Sequence, residues 1–129
     1  MKGYSLLELV LVVCLIGIIA GFLSFKFSGI TDQIKLQSSA RQILSDLQSA
    51  QMKAVSGHND QEIIFSSDRY IIAGRERKLP SSVSIASPIT VRFSPSGMPY
   101  PGYFGTIKLI CHSRSVSIII SNVGRIRFE

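Results

Sequence analysis

The sequence predicts an α+β protein: one long N-terminal helix followed by a small, mainly antiparallel β-sheet domain. Two patterns carry this prediction. Apolar residues form an unbroken run near the N-terminus and then recur at three- and four-residue steps as far as residue 55. Beyond residue 57 the pattern changes to short apolar runs separated by Gly, Pro, Ser and Asp. The 129 residues suit one modest domain. Setting the apolar run aside leaves about 100 residues, enough to bury a core of moderate stability.

The first element is the apolar run. Leu6 to Leu23 holds 18 residues and one charge, Glu8. A membrane span takes about 20 mostly apolar residues, so this stretch just qualifies. It does not read as an ordinary secretory signal. Lys2 supplies a basic start, but the run passes into Phe22-Leu23-Ser24-Phe25-Lys26-Phe27 without a small-residue cleavage site. A plain anchor explains the length and not Glu8. A carboxylate within a span is costly and tends to be functional; at the interface it favours the positive end of a helix instead. Position alone does not choose between these. Gly17 and Gly21 make a G-x-x-x-G pair, which lets helices approach closely, unless they are incidental glycines of a membrane helix.

The second element is amphipathic. Ile34, Leu36, Ala40, Ile43, Leu44, Leu47, Ala50, Ala54 and Val55 form a helical stripe, and Lys35, Arg41, Asp46, Gln48 and Lys53 fall mainly between them. Gly57 is the expected stop. A continuous helix from Leu6 to Val55 spans about 75 Å, and Gly29 is the one candidate for a local interruption. The expected boundaries are a membrane half at 4–28, an amphipathic half at 29–57 and a β-rich domain at 58–129.

The strands follow. Glu62-Ile63-Ile64-Phe65 and Arg69-Tyr70-Ile71-Ile72 flank the turn signal Ser66-Ser67-Asp68 and predict a hairpin. Val83–Ile85 and Ile89–Phe93 read as strands, residues 94–102 as a Pro/Gly-rich loop. Thr106–Cys111, Val116–Ser121 and Arg125–Phe128 complete the series.

Charge is uneven. Residues 1–65 carry five basic and five acidic side chains; residues 66–129 carry nine and three, so the net +6 lies in the second half. Such asymmetry suits a polyanion, an acidic partner or an anionic membrane, or serves solubility alone. In a terminal strand Arg125 and Arg127 share one face, while Ile126 and Phe128 point inward. Gly124 permits the turn before them. Two aligned guanidinium groups suit phosphates; the alternative is a charged edge strand that blocks aggregation. Arg75, Arg77 and Lys78 form a second basic cluster, expected in a loop. Arg92 and Arg114 could extend a patch.

Nothing supports catalysis. His58 and His112 are far apart, and no metal-protease, nucleophile-elbow or phosphate-loop motif is present. His58 reads as a turn residue and His112 as a strand-end residue, not as metal ligands. Asp60 and Glu62 fall on one strand face and read as solvated. Cys14 lies in the span and Cys111 in the soluble part, so no disulfide is expected between them. Cys111, after an apolar stretch, reads as a small core residue. No cofactor or metal is expected.

Gly3-Tyr4-Ser5-Leu6-Leu7-Glu8-Leu9 resembles the type III signal of type IV pilins and type II secretion pseudopilins. Phe93-x-x-x-Gly97, Gly105-Thr106-Ile107-Lys108-Leu109 and Gly124-Arg125-Ile126-Arg127 are similar to the GspH/FimT group of minor pseudopilins and pilins. The resemblance implies a type IV pilin-like fold and a leader at residues 1–3. It implies that a prepilin peptidase cuts between Gly3 and Tyr4, that Tyr4 is N-methylated, and that Glu8 neutralises the amino terminus of a neighbouring subunit. A buried charge is tolerated when it is paired in this way. Implied partners are other pilins or pseudopilins in a helical fibre, the peptidase and an inner-membrane assembly platform. The implied location is the bacterial inner membrane, single-pass, with a periplasmic C-terminal domain, then a periplasmic or surface fibre. The implied role is a structural subunit of a type II secretion pseudopilus, with a secreted protein as cargo. An alternative is a type IV pilus or competence subunit that binds DNA through the basic C-terminal patch, as some members of the group do. A single-span membrane protein with a periplasmic binding domain is the reading from outside this class.

Overall fold

The computed structural model describes residues 3, 5–24 and 28–129. Two helices precede eight strands. Helix α1 spans Leu6–Leu23; Ser5 precedes it with extended backbone, and its carbonyl accepts from Glu8 N at 2.9 Å and Leu9 N at 3.2 Å. Ser24 ends α1: its N–H bonds Gly21 O at 3.2 Å, and its hydroxyl donates to Ala20 O at 3.0 Å. Helix α2 spans Ser28–Gly57. The junction expected to be continuous includes residues 25–27, which lie outside the described residues. Gly29 lies within α2, so it does not interrupt that helix.

The apolar stripe of α2 is real and narrower than expected. Leu36, Ala40, Ile43, Leu47, Ala50 and Ala54 are buried, spaced by alternating steps of four and three residues. That alternation averages close to the 3.6-residue helical period. Ile34 and Val55 break this spacing; they stand off the stripe and are 62% and 46% exposed. Alanine at three of the six positions lets the sheet backbones come close. Gly57 ends α2 as predicted, and His58 then takes the left-handed conformation, φ +52.

The β domain is two sheets. One has the order β3-β2-β1-β5, the other β4-β6-β7-β8, and every pairing is antiparallel. The strands are β1 Gln61–Phe65, β2 Arg69–Ile72, β3 Arg75–Lys78, β4 Ser84–Ile85, β5 Ile89–Phe93, β6 Gly105–Cys111, β7 Arg114–Ile120 and β8 Ile126–Phe128. The predicted hairpin is β1–β2, with Phe65 opposite Tyr70 and their rings stacked at 5.4 Å. Alternate residues face inward: Ile63 and Phe65, Val91 and Phe93, Ile107, Leu109 and Cys111, Ile118 and Ile120 are all buried. Helix α2 packs on β1 and β5 of one sheet and on β6, β7 and β8 of the other. The stripe of α2 is thus the shared floor of both sheets. Each fully buried Ile or Leu in it contributes about 1.5–3 kcal/mol.

One loop expectation is corrected. Arg75, Arg77 and Lys78 do not lie in a loop; they form β3, the edge strand of its sheet. Ala73 and Gly74 link β2 to β3 with φ +50 and +74, the paired positive values of a tight hairpin turn. A strand of four charged residues has no apolar alternation to reveal it. Edge position explains how it is tolerated, since one of its sides faces no partner strand.

Candidate functional site

Three features could carry function: helix α1, the basic edges of the two sheets, and the contacts that tie β turns to α2.

In α1 no residue is buried. Its 18 residues span about 27 Å at ~1.5 Å per residue, near the hydrocarbon thickness of a bilayer, and by length and composition it can cross a membrane. Glu8 lies in its first turn, and no cation of the described residues pairs with it. Gly17 and Gly21 lie one turn apart; a Cβ on either would meet nothing within 4 Å. They leave a shallow place on an open surface. Gly3 is exposed. Tyr4, the expected first mature and methylated residue, lies outside the described residues.

The basic residues divide by whether they are paired. Arg92 donates to Asp60 at 2.8 Å and stands over the Tyr100 ring at 5.3 Å. The Tyr100 hydroxyl donates to Asp60 at 3.0 Å. Asp60 is therefore an ion-pair anchor, not a merely solvated partner of Glu62, and Arg92 is withdrawn from any free patch. Its hydrogen bond with Asp60 raises the Arg92 pKa, and the same carboxylate raises that of Tyr100. Arg69 pairs with Asp68 at 2.9 Å and with Glu76 at 2.6 Å. These bonds, Asp68 first, lift its pKa, and Arg69 in turn lowers that of Asp68. Arg77 lies 3.5 Å from Asp46, which also accepts from the buried Tyr70 hydroxyl. Burial, then that bond, pushes the Tyr70 pKa well up. Arg114 donates to Gln33 of α2 at 2.7 Å.

Arg125 and Arg127 differ. Both are exposed, and neither side chain pairs with a carboxylate among the described residues. Arg127 lies in β8 opposite Ile119, and Arg125 one residue before the strand. The turn that presents them is pinned: Gly124 N bonds Ser121 O at 3.0 Å, Ser121 N bonds Arg125 O at 2.9 Å, and Arg125 N bonds Ser121 Oγ at 3.1 Å. Ile126 packs on the core as expected. Phe128 is a correction: it sits opposite buried Ile118, yet it is 43% exposed because β8 is the outer strand. The two basic clusters occupy edge strands of different sheets.

Gln51 was not singled out by sequence, and it joins three segments. Its side-chain amide donates to Gly97 O at 2.7 Å and to Gly124 O at 3.0 Å. Gly97 and Gly124 have φ +81 and +80. A Cβ on Gly124 would lie 2.7 Å from Gly97 O, so only glycine fits. A glutamine just off an apolar stripe gives no signal of this role. Beside it Met52, Val55, Met98 and Val123 line an open apolar groove of about 500 Å³.

Last, Asp32 of α2 meets the β6–β7 turn. His112 Nδ1 lies 3.2 Å from Asp32 Oδ2 and 3.6 Å from Cys111 Sγ. Cys111 is buried and unpaired by disulfide, and Cys14 is likewise free, exposed on α1.

No family model matches the chain, and no curated protein matches it. Among solved structures it is similar to the type IV minor pilin FimU of Pseudomonas aeruginosa (strain PAO1). One crystal form of that protein is 20% identical, with a TM-score of 0.62 over 78% of this chain and 92% of that one. A second is 21% identical, with a TM-score of 0.59 over 73% and 92%. The fold is type IV pilin-like, as the sequence predicts.

Proposed function

We propose that the chain is a minor pilin or pseudopilin, a structural subunit held in the bacterial inner membrane by α1 and then built into a fibre. The observation that carries this is α1 itself. The 18 residues of α1, all without charge except Glu8, are exposed outside the folded core, Glu8 has no partner among the described residues, and the domain is packed by α2. Such a surface needs lipid or the helices of other subunits. In a fibre Glu8 gains a partner, the amino terminus of a neighbour, and loses the desolvation penalty of a lone charge. A prepilin peptidase cutting after Gly3 supplies that amino terminus at Tyr4, which is then methylated. Gly17 and Gly21 give neighbouring helices a place to approach.

The mass of the mature N-terminus tests this. We expect a chain that starts at methylated Tyr4. An uncut Met1, or cleavage after the apolar run, overturns the reading in favour of a plain single-span protein. Glu8→Ala should still be cut and inserted but should be lost from purified fibres; normal incorporation would show the pairing to be dispensable.

Of the two fibres, the type IV pilus is favoured over the type II secretion pseudopilus, because the similar solved structures are of a type IV minor pilin. Arg125 and Arg127, without a carboxylate partner among the described residues, favour a DNA-binding role within it. They are free to take phosphates, whereas Arg69, Arg77 and Arg92 are already occupied. Replacing both by alanine should weaken duplex-DNA binding and flatten the log–log salt slope by about 1.8, from two lost phosphate contacts. An unchanged slope would leave β8 a charged edge strand only.

A further inference from the structure

We propose that Asp32, Cys111 and His112 form a binding site for a zinc-class divalent cation, which clamps the β6–β7 turn to the start of α2. The three residues come from two elements far apart in sequence, and their ligand atoms all lie within 4.8 Å of one another. Two of the separations already match a tetrahedral site. With Zn–N and Zn–O near 2.1 Å and Zn–S near 2.3 Å, ligand pairs at the tetrahedral angle stand about 3.4 Å apart for N and O and about 3.6 Å for N and S. The structure has 3.2 Å for His112 Nδ1 to Asp32 Oδ2 and 3.6 Å for His112 Nδ1 to Cys111 Sγ. The third side, Asp32 to Cys111 Sγ, is no longer than 4.8 Å.

The local chemistry favours an ion over a simple hydrogen bond. His112 Nδ1 faces a carboxylate oxygen and a sulfur at once, and one ring nitrogen carries at most one proton. As a donor it satisfies Asp32 and leaves the thiol unanswered; as an acceptor it turns a lone pair toward the carboxylate. A cation among the three uses a lone pair from each. Thiolate, imidazole and carboxylate together are a borderline-soft donor set, which suits zinc better than calcium or magnesium. The backbone points the same way. His112 holds φ +54, a conformation few non-glycine residues adopt, in a two-residue turn where glycine would be unstrained.

Binding is balanced by one proton. The Cys111 thiol loses its hydrogen to solvent as the S–metal bond forms. His112 coordinates through the Nδ1 lone pair with its own proton on Nε2, and Asp32 binds as the carboxylate. Three protein ligands leave the fourth tetrahedral position to water. His112 is 68% exposed, so the ion has a route in even though Cys111 is covered.

Cobalt(II) and zinc(II) titrations of the full-length chain in detergent, under a non-thiol reductant, test the site. Cobalt should bind one per chain and give a thiolate-to-metal charge-transfer band with the strong visible bands of tetrahedral geometry. Zinc should bleach them. The bands should survive Cys14→Ser, which removes the other thiol. His112→Ala and Asp32→Asn, at positions outside the core, should weaken binding by at least the roughly 10–100-fold that loss of an outer-shell partner costs. Cys111→Ser should abolish the charge-transfer band. Zinc should raise the melting temperature of the unaltered chain and not that of His112→Ala. Absent bands would leave a metal-free Asp32–His112 contact only, and bands that persist in His112→Ala would place the ion at other ligands; either result would overturn the proposal.

Discussion

Gly124→Ala is the sharpest probe of how the sheets are tied to the helix. The new methyl would lie 2.7 Å from Gly97 O and 2.9 Å from Gln51 Nε2, at φ +80. Two effects add. The left-handed backbone costs an L residue about 1–2 kcal/mol. The clash forces Gly97 O or Gln51 aside, and loss of one or both amide hydrogen bonds costs about 1 kcal/mol each. The sum is about 2–4 kcal/mol, which for a domain of this size lowers the melting temperature by roughly 10–25 °C. Gly74→Ala separates the two effects. Gly74 has φ +74 with nothing within 4 Å of its missing Cβ, so it meets the backbone cost alone and should lose about 1–2 kcal/mol. Gln51→Ala keeps both glycines and removes only the hydrogen bonds. Thermal melts of the three variants in one detergent form the assay. Equal losses for Gly124→Ala and Gly74→Ala would refute the close approach as a source of stability.

Two further outcomes follow from the same packing. Ile43→Ala empties a fully buried site on α2 and should cost about 2–5 kcal/mol, while Ile34→Ala, 62% exposed, should change stability by under ~0.5 kcal/mol; chemical denaturation of both reads the contrast, and similar losses would contradict the narrow stripe. For Tyr70, burial and the Asp46 bond hold the hydroxyl protonated in the fold, so its folded pKa lies above the unfolded value of about 10. Below pH 10 that stability is fully present; above it the unfolded chain loses the proton first, and stability falls as pH rises. Tyr70→Phe should lower stability near neutral pH by about 1.5–3 kcal/mol and make the alkaline decline shallower. A parallel decline in both proteins, measured by melts from pH 8 to 11, would remove Tyr70 from the account.

Much of this fold is legible in the sequence because each element carries its own period. The run of α1 and the four-three alternation of α2 are unambiguous, and seven of the eight strands announce themselves through short runs rich in Ile, Val and Phe. What escapes has a physical reason. Strand β3 is Arg-Glu-Arg-Lys at a sheet edge, where charge is favoured and apolar alternation is absent. The split into two sheets depends on pairing between distant strands, which no local pattern encodes. The same holds for the sites. Arg125, Arg127 and Glu8 are visible because an isolated charge, or a pair at a two-residue spacing, stands out against apolar neighbours. Gln51, Asp60 and the meeting of Asp32 with Cys111 and His112 depend on contacts across 40 to 80 residues. An Asp in one helix and a His in one turn look ordinary apart, and only the fold brings them together.

The two helices divide the physical work in a way that constrains assembly. Helix α2 is apolar on one side, so it has one orientation against the sheets and spends that side on the domain core. Helix α1 is apolar all round, so composition gives it no preferred face toward lipid or toward other helices. Hydrophobicity alone therefore cannot set which neighbour it meets or in what register. Directional groups must do that. On α1 these are the carboxylate of Glu8 and the indentation at Gly17 and Gly21. If, as proposed, Glu8 pairs with a neighbour's amino terminus, that pair sets the axial register, because an offset of even one turn, about 5.4 Å, leaves Glu8 unpaired in a medium of low dielectric. On the same proposal the glycines set rotation about the axis. On this argument moving the carboxylate by one residue is worse than replacing it by glutamine. Glu8→Gln removes the charge and its burial penalty together, whereas Glu8→Leu with Leu9→Glu keeps the penalty and turns the charge by about 100°. The shifted variant should be the poorer of the two in fibres, and the reverse order would show that register is set elsewhere.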